Sequence, residues 1–421
     1  MGTPIELKVG GVGLDYAMNG IGIDHGWIFQ ETNRQQYLVD VADDDYAEDD
    51  TEMDLSLYRE AFVRPLSQIL PRLNLAGWTI RAAQAEYELL LNDQQDLDEG
   101  AGPTPLTMLS FDEFCALVER YPLSELDPTA DFDKNESFFA ARFRATQQAM
   151  DRLPRPGDAV YWSEQSYFAS RVCLLHPYSM LQVFGRAEVN RNSKVVWQYG
   201  PLVADGKALI DEFVPGATRP QTVLIATEGT SDSHILKHAF QALRQDISDF
   251  FRFVDLDERH PFWGTGNLVK FAEGLMRIDI QNKVLFVLDN DAEGVDALAR
   301  LNRLRMPSNM RAMLLPDEEF FSSFPAIGPE GMGCADINGR AAAIECYLDL
   351  RLGDYGPPSV RWSNYKKDVD AWQGALEHKE TYMRHFLDQT VESLNSGDYE
   401  TARVVDVLNS IVRQAALLQV S

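Results

Sequence analysis

The stretches Val223-Leu-Ile-Ala-Thr-Glu-Gly-Thr-Ser-Asp232 and Lys283-Val-Leu-Phe-Val-Leu-Asp-Asn-Asp-Ala-Glu-Gly294 decide the fold of the second half of the chain. Each is a short apolar run that ends in acidic residues and a glycine, and a helical pattern follows. Gly229 and Gly294 permit tight turns and close approach of the backbone. Apolar strands that alternate with helices indicate βαβ units and a parallel sheet covered on both faces. We therefore predict an α/β domain with a Rossmann-like sheet. Its second and fourth strands are expected at residues 251–255 and 311–315.

Acidic side chains follow the first and third of these predicted strands. Glu228 comes after the first strand, with Asp232 four residues later, and Asp289 and Asp291 lie at the end of the third. Ligands of open α/β sheets bind beyond the carboxyl ends of the strands, and side chains at i and i+2 of an extended chain point to the same side. Oxygen-rich sites of this kind suit Mg²⁺ or Mn²⁺. An Asp at a helix N-terminus is also a common cap, so Asp232 alone fits either role, whereas the joint pattern favours a metal site.

These acids resemble the signature of the Toprim domain, the metal-binding module of topoisomerases, bacterial primases and related nucleases. That signature is a Glu after the first strand and an Asp-x-Asp after the third, matched here by Glu228, Asp289 and Asp291. The pattern is similar to that of the OLD-type Toprim nucleases, which add an Asp four residues after the Glu, matched by Asp232. The resemblance implies a nuclease that hydrolyses phosphodiester bonds with two Mg²⁺ or Mn²⁺ ions.

The OLD-type resemblance implies two further site residues. A Glu on a helix beyond the fourth strand corresponds to Glu345, and a downstream Lys that adds positive charge at the transition state corresponds to Lys379. Lys366 and Lys367 are alternatives for the lysine, and both assigned residues also fit an ordinary role on a helix surface. Five carboxylates would then hold the metal ions: Glu228, Asp232, Asp289, Asp291 and Glu345.

The beginning of the chain, Gly2-Thr-Pro-Ile-Glu-Leu-Lys-Val-Gly10 with Asp15, Tyr16 and Phe29, resembles a module that precedes HEPN or Toprim domains. No Gly-x-x-x-x-Gly-Lys-Ser/Thr loop is present, so the chain lacks the ATPase that is fused to full-length OLD proteins. Control by nucleotide would require a separate ATPase or sensor partner, and the family resemblance implies a role in bacterial antiphage defence. Dimerisation through the N-terminal region or the terminal helices is a further hypothesis. The expected domains are an α+β regulatory or partner-binding N-terminal domain at residues 1–218, the Toprim catalytic domain at 219–350 and a helical extension at 351–421.

The composition is strongly acidic. The 421 residues include 38 Lys and Arg against 65 Asp and Glu, a formal net charge of −27, and nine of the acids lie in residues 40–54 without a basic residue among them. Such a run is typical of a solvated loop, with a nucleic-acid mimic or a partner-docking arm as the alternative. Bound divalent ions would offset the charge of the predicted site, so we expect nucleic acid to bind weakly without metal.

Other features indicate the compartment. No apolar run approaches the roughly 18 residues of a membrane span, and no basic segment followed by an apolar one marks a secretory signal. The four cysteines are scattered without a Cys-x-x-Cys pair, which fits reduced thiols and argues against a zinc cluster or a disulfide scaffold. We therefore expect a cytoplasmic protein that does not bind membranes.

Two other functions stay open. Arg171-x-x-x-x-His176 has the spacing of the catalytic pair of HEPN ribonucleases, whose cleavage is metal-independent. A non-catalytic Toprim protein that binds nucleic acid, as a recombination mediator does, is the second alternative, although such proteins often lose the carboxylates that are present here. DNA is the expected nucleic acid and RNA the alternative. Arg300 and Arg303 follow the Asp-x-Asp strand, where they could contact phosphates or solvate a helix face.

Weaker patterns indicate the remaining elements. Extended runs are expected at residues 4–13 and 27–41, and the polar residues 94–104 indicate a loop. Pro65 should kink or end a helical turn. Helices are expected at residues 55–73, 111–121, 137–153, 163–175, 369–386 and 399–418.

Overall fold

The computed structural model describes residues 2–38, 58–98, 107–131, 134, 136–154, 161–254, 264–352 and 356–418. The acidic run at residues 40–54 lies outside these ranges. The chain divides into two compact units, Met1–Ala217 and Thr218–Ser421. Within the described ranges, no helix has both the length and the apolar character that crossing a membrane requires.

The first unit is α+β, built on a five-stranded antiparallel sheet in the order β2-β1-β5-β4-β3. Alternate residues of the first strand, Ile5, Leu7 and Val9, are buried, which is the pattern of a strand with one face on the core. The strands are β1 (Pro4–Val9), β2 (Val12–Met18), β3 (Arg34–Leu38), β4 (Tyr58–Pro65) and β5 (Lys194–Gln198). The helices are α1 (Leu66–Leu75), α2 (Ile80–Asp98), α3 (Phe111–Glu119), α4 (Glu136–Phe139), α5 (Gln147–Met150), α6 (Glu164–Val172), α7 (Pro177–Arg186) and α8 (Gly200–Ala204).

The helix predicted at residues 55–73 is wrong in its first half. Tyr58–Pro65 forms β4, which pairs with β3 and β5, and the helix begins only at Leu66. Pro65 separates the two elements instead of kinking a helix, because its fixed φ suits both a strand end and the residue before a helix. The apolar spacing fits a helix locally, but pairing with distant strands overrides it.

Three further predictions in this unit need correction. Residues 94–98, which we expected in a loop, belong to α2, and residues 99–104 lie outside the described ranges. The helix expected at residues 137–153 is broken into short helical turns, and of residues 27–38 only the last five are extended, with two 3₁₀ turns before them. The elements concerned are Ile80–Asp98, Glu136–Phe139, Ala140–Phe143, Gln147–Met150, Gly26–Ile28, Glu31–Asn33 and Arg34–Leu38.

The second unit contains the predicted parallel sheet, with four strands in the order β10-β8-β6-β7 and helices around it. All six residues of β8 are buried, as expected for a central strand that is covered on both faces. The strands are β6 (Val223–Ala226), β7 (Phe251–Phe253), β8 (Lys283–Leu288) and β10 (Met310–Leu314); a short β9 (Asn290–Asp291) follows β8. The helices are α9 (Thr230–Leu243), α10 (Thr265–Arg277) and α11 (Ala292–Arg303).

The strand order places a switch point between β6 and β8. The chain continues from β6 to β7 on one side of β6 and then returns to β8 on its other side. A crevice at the carboxyl ends of such a pair of strands is the usual ligand site of an open α/β sheet.

A second sheet, in the order β12-β11-β14-β15, follows in the chain. Its strands are β11 (Phe324–Gly328), β12 (Gly331–Ala335), β14 (Val360–Lys366) and β15 (Ala371–Leu376); β13 (Ala341–Ala342) pairs with β9. The last helices are α12 (Lys379–Leu387), α13 (Val391–Ser396) and α14 (Ala402–Ala415).

The single long helix predicted at residues 369–386 is wrong. Ala371–Leu376 forms β15, the second strand of a hairpin with β14, and the helix begins only at Lys379. Asp370 and His378 have positive φ angles of 51° and 58°, a conformation that interrupts a right-handed helix. The segment after residue 351 is therefore a hairpin followed by helices. The helix predicted to carry Glu345 is also wrong, because only a 3₁₀ turn, Ile344–Tyr347, is present.

Candidate active site

The first two acids meet at the switch point of the parallel sheet. Glu228 lies two residues after β6 and Asp289 directly follows β8, the strand beside it. The backbone N–H of Asp289 donates a hydrogen bond to Oε1 of Glu228 at 3.3 Å. The structure therefore brings together two acids that are 61 residues apart in the sequence.

Asp291 is fixed from two directions. It stands just before α11 with extended backbone angles, and its Oδ1 accepts a hydrogen bond from the N–H of Gly294 at 2.7 Å, which caps the helix. Its Oδ2 accepts a hydrogen bond from the side-chain amide of Gln373 at 2.5 Å. Backbone pairing with Ala341 adds a third constraint. The carboxylate is therefore held in one orientation.

The two glycine-containing turns of the site differ in their need for glycine. A Cβ atom on Gly294 would lie 2.0 Å from the carbonyl oxygen of Asp289, so no other residue fits there without a shift of the backbone. At Gly229 the nearest atom to such a Cβ would be 3.6 Å away, and φ is −141°, which any residue adopts. The expectation of close approach is confirmed for Gly294 and wrong for Gly229.

Asp232 closes the first turn of α9. Its Oδ2 accepts a hydrogen bond from the N–H of Gly229 at 3.0 Å, and its Oδ1 accepts one from the hydroxyl of Ser231 at 3.2 Å. These contacts are those of a capping residue. The same carboxylate also interacts electrostatically with the acids at the end of β8, so Asp232 combines a capping contact with a place in the acidic site.

Glu345 is buried, with 3% of its surface exposed, in a turn that is anchored to the site. The N–H of Ile344 donates a hydrogen bond to Oδ1 of Asp289 at 3.0 Å. The hydroxyl of Tyr347 donates one to the carbonyl oxygen of Pro316 at 2.6 Å, which ties the end of the turn to the chain after β10. A 3₁₀ turn therefore places the glutamate that we expected on a helix.

The acids raise one another's pKa. Burial raises the pKa of Glu228 to about 9, and the nearby charges of Asp291 and Asp232 add to the shift. Burial, reinforced by Glu345, raises the pKa of Asp232 to about 7. The pKa of Asp289 lies well above its usual range because of burial and the charges of Asp232 and Glu228, and burial also raises the pKa of Asp291. The five carboxylates therefore form one electrostatic cluster.

Lys379 lies within electrostatic reach of this cluster. It is the first residue of α12, and its charge opposes the upward shift in the pKa of Asp232. Lys366 forms an ion pair with Glu293 at 2.7 Å, and Glu293 adds to the upward shifts in the pKa values of Glu228 and Asp291. Both lysines therefore lie near the acids, and Lys379 is the one whose charge acts on Asp232.

Sequence reasoning missed two residues of the site. The Gln373 side chain donates to Asp291 and accepts a hydrogen bond from the N–H of Glu293 at 3.1 Å, so it joins the hairpin to the start of α11. The Glu293 carboxylate adds to the upward shifts in the pKa values of Asp291 and Glu228. The sequence shows Glu293 as a third acid, two residues after Asp291. Gln373 lies in a segment that the sequence pattern predicted to be helical, and nothing in that pattern indicated a contact with the acids.

The cluster has the donor chemistry of a divalent cation site. Its ligands are hard carboxylate oxygens, and their mutual repulsion would be relieved by a cation. Among the residues that the structure describes, however, no three His, Cys, Asp or Glu side chains are arranged so that they could hold an ion as they stand. Several of the carboxylate oxygens accept protein N–H groups instead. Coordination would therefore require the side chains to turn toward a common point.

The two candidate phosphate-binding arginines lie away from the acids. Arg300 and Arg303 are in the last turn of α11, about 12 and 16 Å along the helix axis from its first residue. Arg300 also forms an ion pair with Asp296. The structure does not bring these arginines to the carboxylates.

The HEPN-like pair has structural contacts. Arg171 forms an ion pair with Glu136 at 2.5 Å, at the end of α6. His176 precedes α7, accepts a hydrogen bond from the N–H of Tyr178 at 3.3 Å, and stacks on Trp78 with ring centroids 4.3 Å apart. These contacts account for both side chains as parts of the packing of the first unit.

Comparison with known proteins identifies the first unit. The family HEPN/Toprim N-terminal domain 1 matches residues 1–221, more than half of the chain. The chain belongs to this family. No curated protein and no solved structure matches the chain. Membership in the HEPN/Toprim family favours a nuclease-like function linked to such a domain, and it agrees with the resemblance of the N-terminal residues noted above.

Proposed function

We propose that the chain is a divalent-metal-dependent nuclease of the OLD-like Toprim class, with DNA as the first candidate substrate and RNA as the second. The observation that carries this proposal is the convergence of Glu228, Asp289 and Asp291 at the switch point of the sheet, together with their raised pKa values. Acids with strongly shifted pKa values in one crevice mark candidate catalytic sites. The membership of the first unit in the HEPN/Toprim family also supports a nuclease-like function.

Each residue has a proposed role. Two bound Mg²⁺ or Mn²⁺ ions would supply the activation of water and the stabilisation of the leaving oxygen. Lys379 would place positive charge near the phosphate as negative charge develops there. Gln373 positions Asp291 and fixes the start of α11. The five carboxylates that would hold the ions are Glu228, Asp232, Asp289, Asp291 and Glu345.

The test is cleavage of plasmid, linear DNA and RNA by the purified chain in Mg²⁺ or Mn²⁺, with EDTA as the metal-free condition. Glu228→Gln and Asp289→Asn remove one charge each and keep the shape of the side chain, and we expect each to lower cleavage by at least about a hundredfold. Glu380→Gln is the matched control, because that carboxylate lies next to Lys379 but is 76% exposed. Cleavage that persists in EDTA or in both acid variants would overturn the proposal.

The same experiment separates the two alternatives. Binding of nucleic acid without cleavage under any metal condition would support a non-catalytic Toprim protein. RNA cleavage that survives EDTA and is lost in His176→Ala would support a HEPN-type ribonuclease. The stacking of His176 on Trp78 and the pairing of Arg171 with Glu136 favour the metal-dependent reading.

The biological setting is also part of the proposal. The signal would come from a separate ATPase or sensor, bound through the first unit, and the chain would act in antiphage defence. Residues 219–350 would form the catalytic domain, and residues 351–421 would extend it. Expression in bacteria challenged with phage, with Glu228→Gln as the inactive control, tests this setting. Equal protection by wild type and variant would exclude it.

A further inference from the structure

Asn290 lies between two acids of the site, Asp289 and Asp291, and only 2% of its surface is exposed. Successive side chains of an extended segment point to opposite sides. Asn290 belongs to the short strand β9, so its amide points away from the carboxylates on either side of it. A buried amide requires hydrogen-bond partners, and these partners show which parts of the fold the side chain connects.

The partners fix the orientation of the amide. The backbone N–H of Gly339 donates a hydrogen bond to Oδ1 of Asn290 at 2.9 Å, and Nδ2 of Asn290 donates one to Oδ1 of Asp317 at 2.8 Å. A backbone N–H can only donate and an ionised carboxylate can only accept, so the amide oxygen and nitrogen cannot exchange places. Burial raises the pKa of the Tyr347 hydroxyl, and a hydrogen bond with Asn290 opposes this shift.

These contacts join three separate segments to the acids. Asp317 follows β10, and Gly339 precedes β13, the strand that pairs with β9. Tyr347 is the last residue of the turn that carries Glu345. One side chain therefore connects the acids at the end of β8 to the turn that holds another acid of the site.

A carboxylate could not replace this amide. Aspartate at position 290 would still accept the hydrogen bond from Gly339, but it would have no N–H to donate to Asp317. It would instead place two carboxylates at a contact of 2.8 Å, where like charges repel. The contacts therefore require a neutral side chain that both donates and accepts.

We propose that Asn290 is a positioning residue of the acidic site, whose amide fixes the segment of Asp289 and Asp291 relative to the turn of Glu345. If a cation is to bind, the carboxylates must turn toward a common point. A backbone that is already fixed leaves only side-chain rotations to be ordered on binding, which favours affinity. This inference rests on the proposed function and adds a residue that is not among its proposed metal ligands.

The test is the affinity of the whole chain for Mn²⁺, measured by titration calorimetry without nucleic acid. Asn290→Asp should weaken Mn²⁺ binding about 10- to 100-fold, although an added negative charge alone would strengthen the binding of a cation. Combining it with Asp317→Asn exchanges donor and acceptor and restores the net charge of the pair. The double variant should therefore regain most of the lost affinity.

Asn309→Asp is the matched control in the same unit. Asn309 is 8% exposed, and its Nδ2 donates to the carbonyl oxygens of Ile280 and Asn282 at 2.6 and 2.9 Å. It precedes β10 at the amino end of the sheet, whereas the acids follow the carboxyl ends. Both substitutions replace a buried amide donor by a carboxylate, so both should lower the free energy of unfolding in urea. Only Asn290→Asp should weaken Mn²⁺ binding.

The outcomes separate this inference from the nuclease proposal. Unchanged or tighter Mn²⁺ binding in Asn290→Asp, an equal loss of affinity in Asn309→Asp, or no recovery in the double variant would overturn the positioning role. If wild type binds Mn²⁺ but cleaves no nucleic acid, the nuclease proposal fails, while a loss of affinity confined to Asn290→Asp still supports the positioning role. If wild type binds no Mn²⁺, both fail.

Discussion

Neutralising Asp232 should stabilise the metal-free protein. Asp232→Asn keeps an oxygen that can accept the hydrogen bond from Gly229 but removes a charge that burial and Glu345 disfavour. The pKa of Asp232 is about 7 in the folded chain, against 3.8 as its ordinary value. Because this pKa is higher in the folded chain than in the unfolded chain, the contribution of Asp232 to the free energy of unfolding is greatest below pH 3.8 and is lost as the pH rises toward 7.

The magnitude follows from the size of that shift. One pKa unit corresponds to about 1.4 kcal/mol, so ionisation of Asp232 lowers the free energy of unfolding by at most about 4 kcal/mol at pH 8 and by about 1.5 kcal/mol at pH 5. The neighbouring acids titrate together and share this effect, which makes 4 kcal/mol an upper bound. The gain in stability from Asp232→Asn should therefore be larger at pH 8 than at pH 5.

Urea unfolding followed by circular dichroism, at both pH values in EDTA and in Mn²⁺, measures this effect. Wild type should gain about 2.7 kcal/mol when Mn²⁺ is at a hundred times its dissociation constant, and the variant should gain less. Asp112→Asn is the control, since Asp112 is 91% exposed in the first turn of α3, where a negative charge favours the helix. If Asp232→Asn is destabilised at both pH values, as Asp112→Asn should be, then Asp232 is only a helix cap and the reasoning about the acidic cluster is refuted.

Three further predictions use matched pairs of variants or one direct measurement. Gly294→Ala should lower the free energy of unfolding in urea by at least about 2 kcal/mol, because the added Cβ would overlap a backbone oxygen. Gly229→Ala should change the free energy of unfolding by less than about 1 kcal/mol. Similar values for the two variants would contradict the close contact at Gly294. Gln373→Ala should reduce the Mn²⁺ affinity, measured by titration calorimetry, or the cleavage rate about 10- to 100-fold, because it frees the carboxylate of Asp291. An unchanged Mn²⁺ affinity would show that Gln373 is not part of the site. Lys379→Ala should reduce the cleavage rate about a hundredfold and Lys366→Ala much less, and the reverse order would exchange their roles.

The parallel sheet was predictable because its strands carry a strong local signal. A strand that is buried on both faces reads as a continuous apolar run, and β8 has no exposed position. The acids at the ends of these strands could then be placed by the geometry of open α/β sheets alone. Their contact through the N–H of Asp289 and Oε1 of Glu228 agrees with that placement.

The two incorrect helices have different physical causes. β4 has apolar spacing that also fits a helix, but it is fixed as a strand by β5, which is far away in the sequence. β15 pairs with β14, its neighbour in the chain, across a turn in which Asp370 has a positive φ angle. The place of Gln373 in the site depends on a hydrogen bond to a residue 82 positions earlier. Local patterns contain no information about such a contact, so the part of Gln373 in the site could come only from the structure.

The electrostatics of the acidic cluster argue that it exists for a ligand. Burial of carboxylates that raise one another's pKa lowers the stability of the folded chain above neutral pH, and a purely structural role would favour neutral side chains or complete ion pairs in their place. Lys379 opposes the upward shift in the pKa of Asp232, whereas neighbouring carboxylates as well as burial raise the pKa values of Glu228, Asp289 and Asp291. Local conflicts of this kind persist at functional sites, where a bound group resolves them. Under the proposed function a divalent cation would resolve this one, and the hydrogen bonds from Gly294 and Gln373 to Asp291 keep one carboxylate oriented.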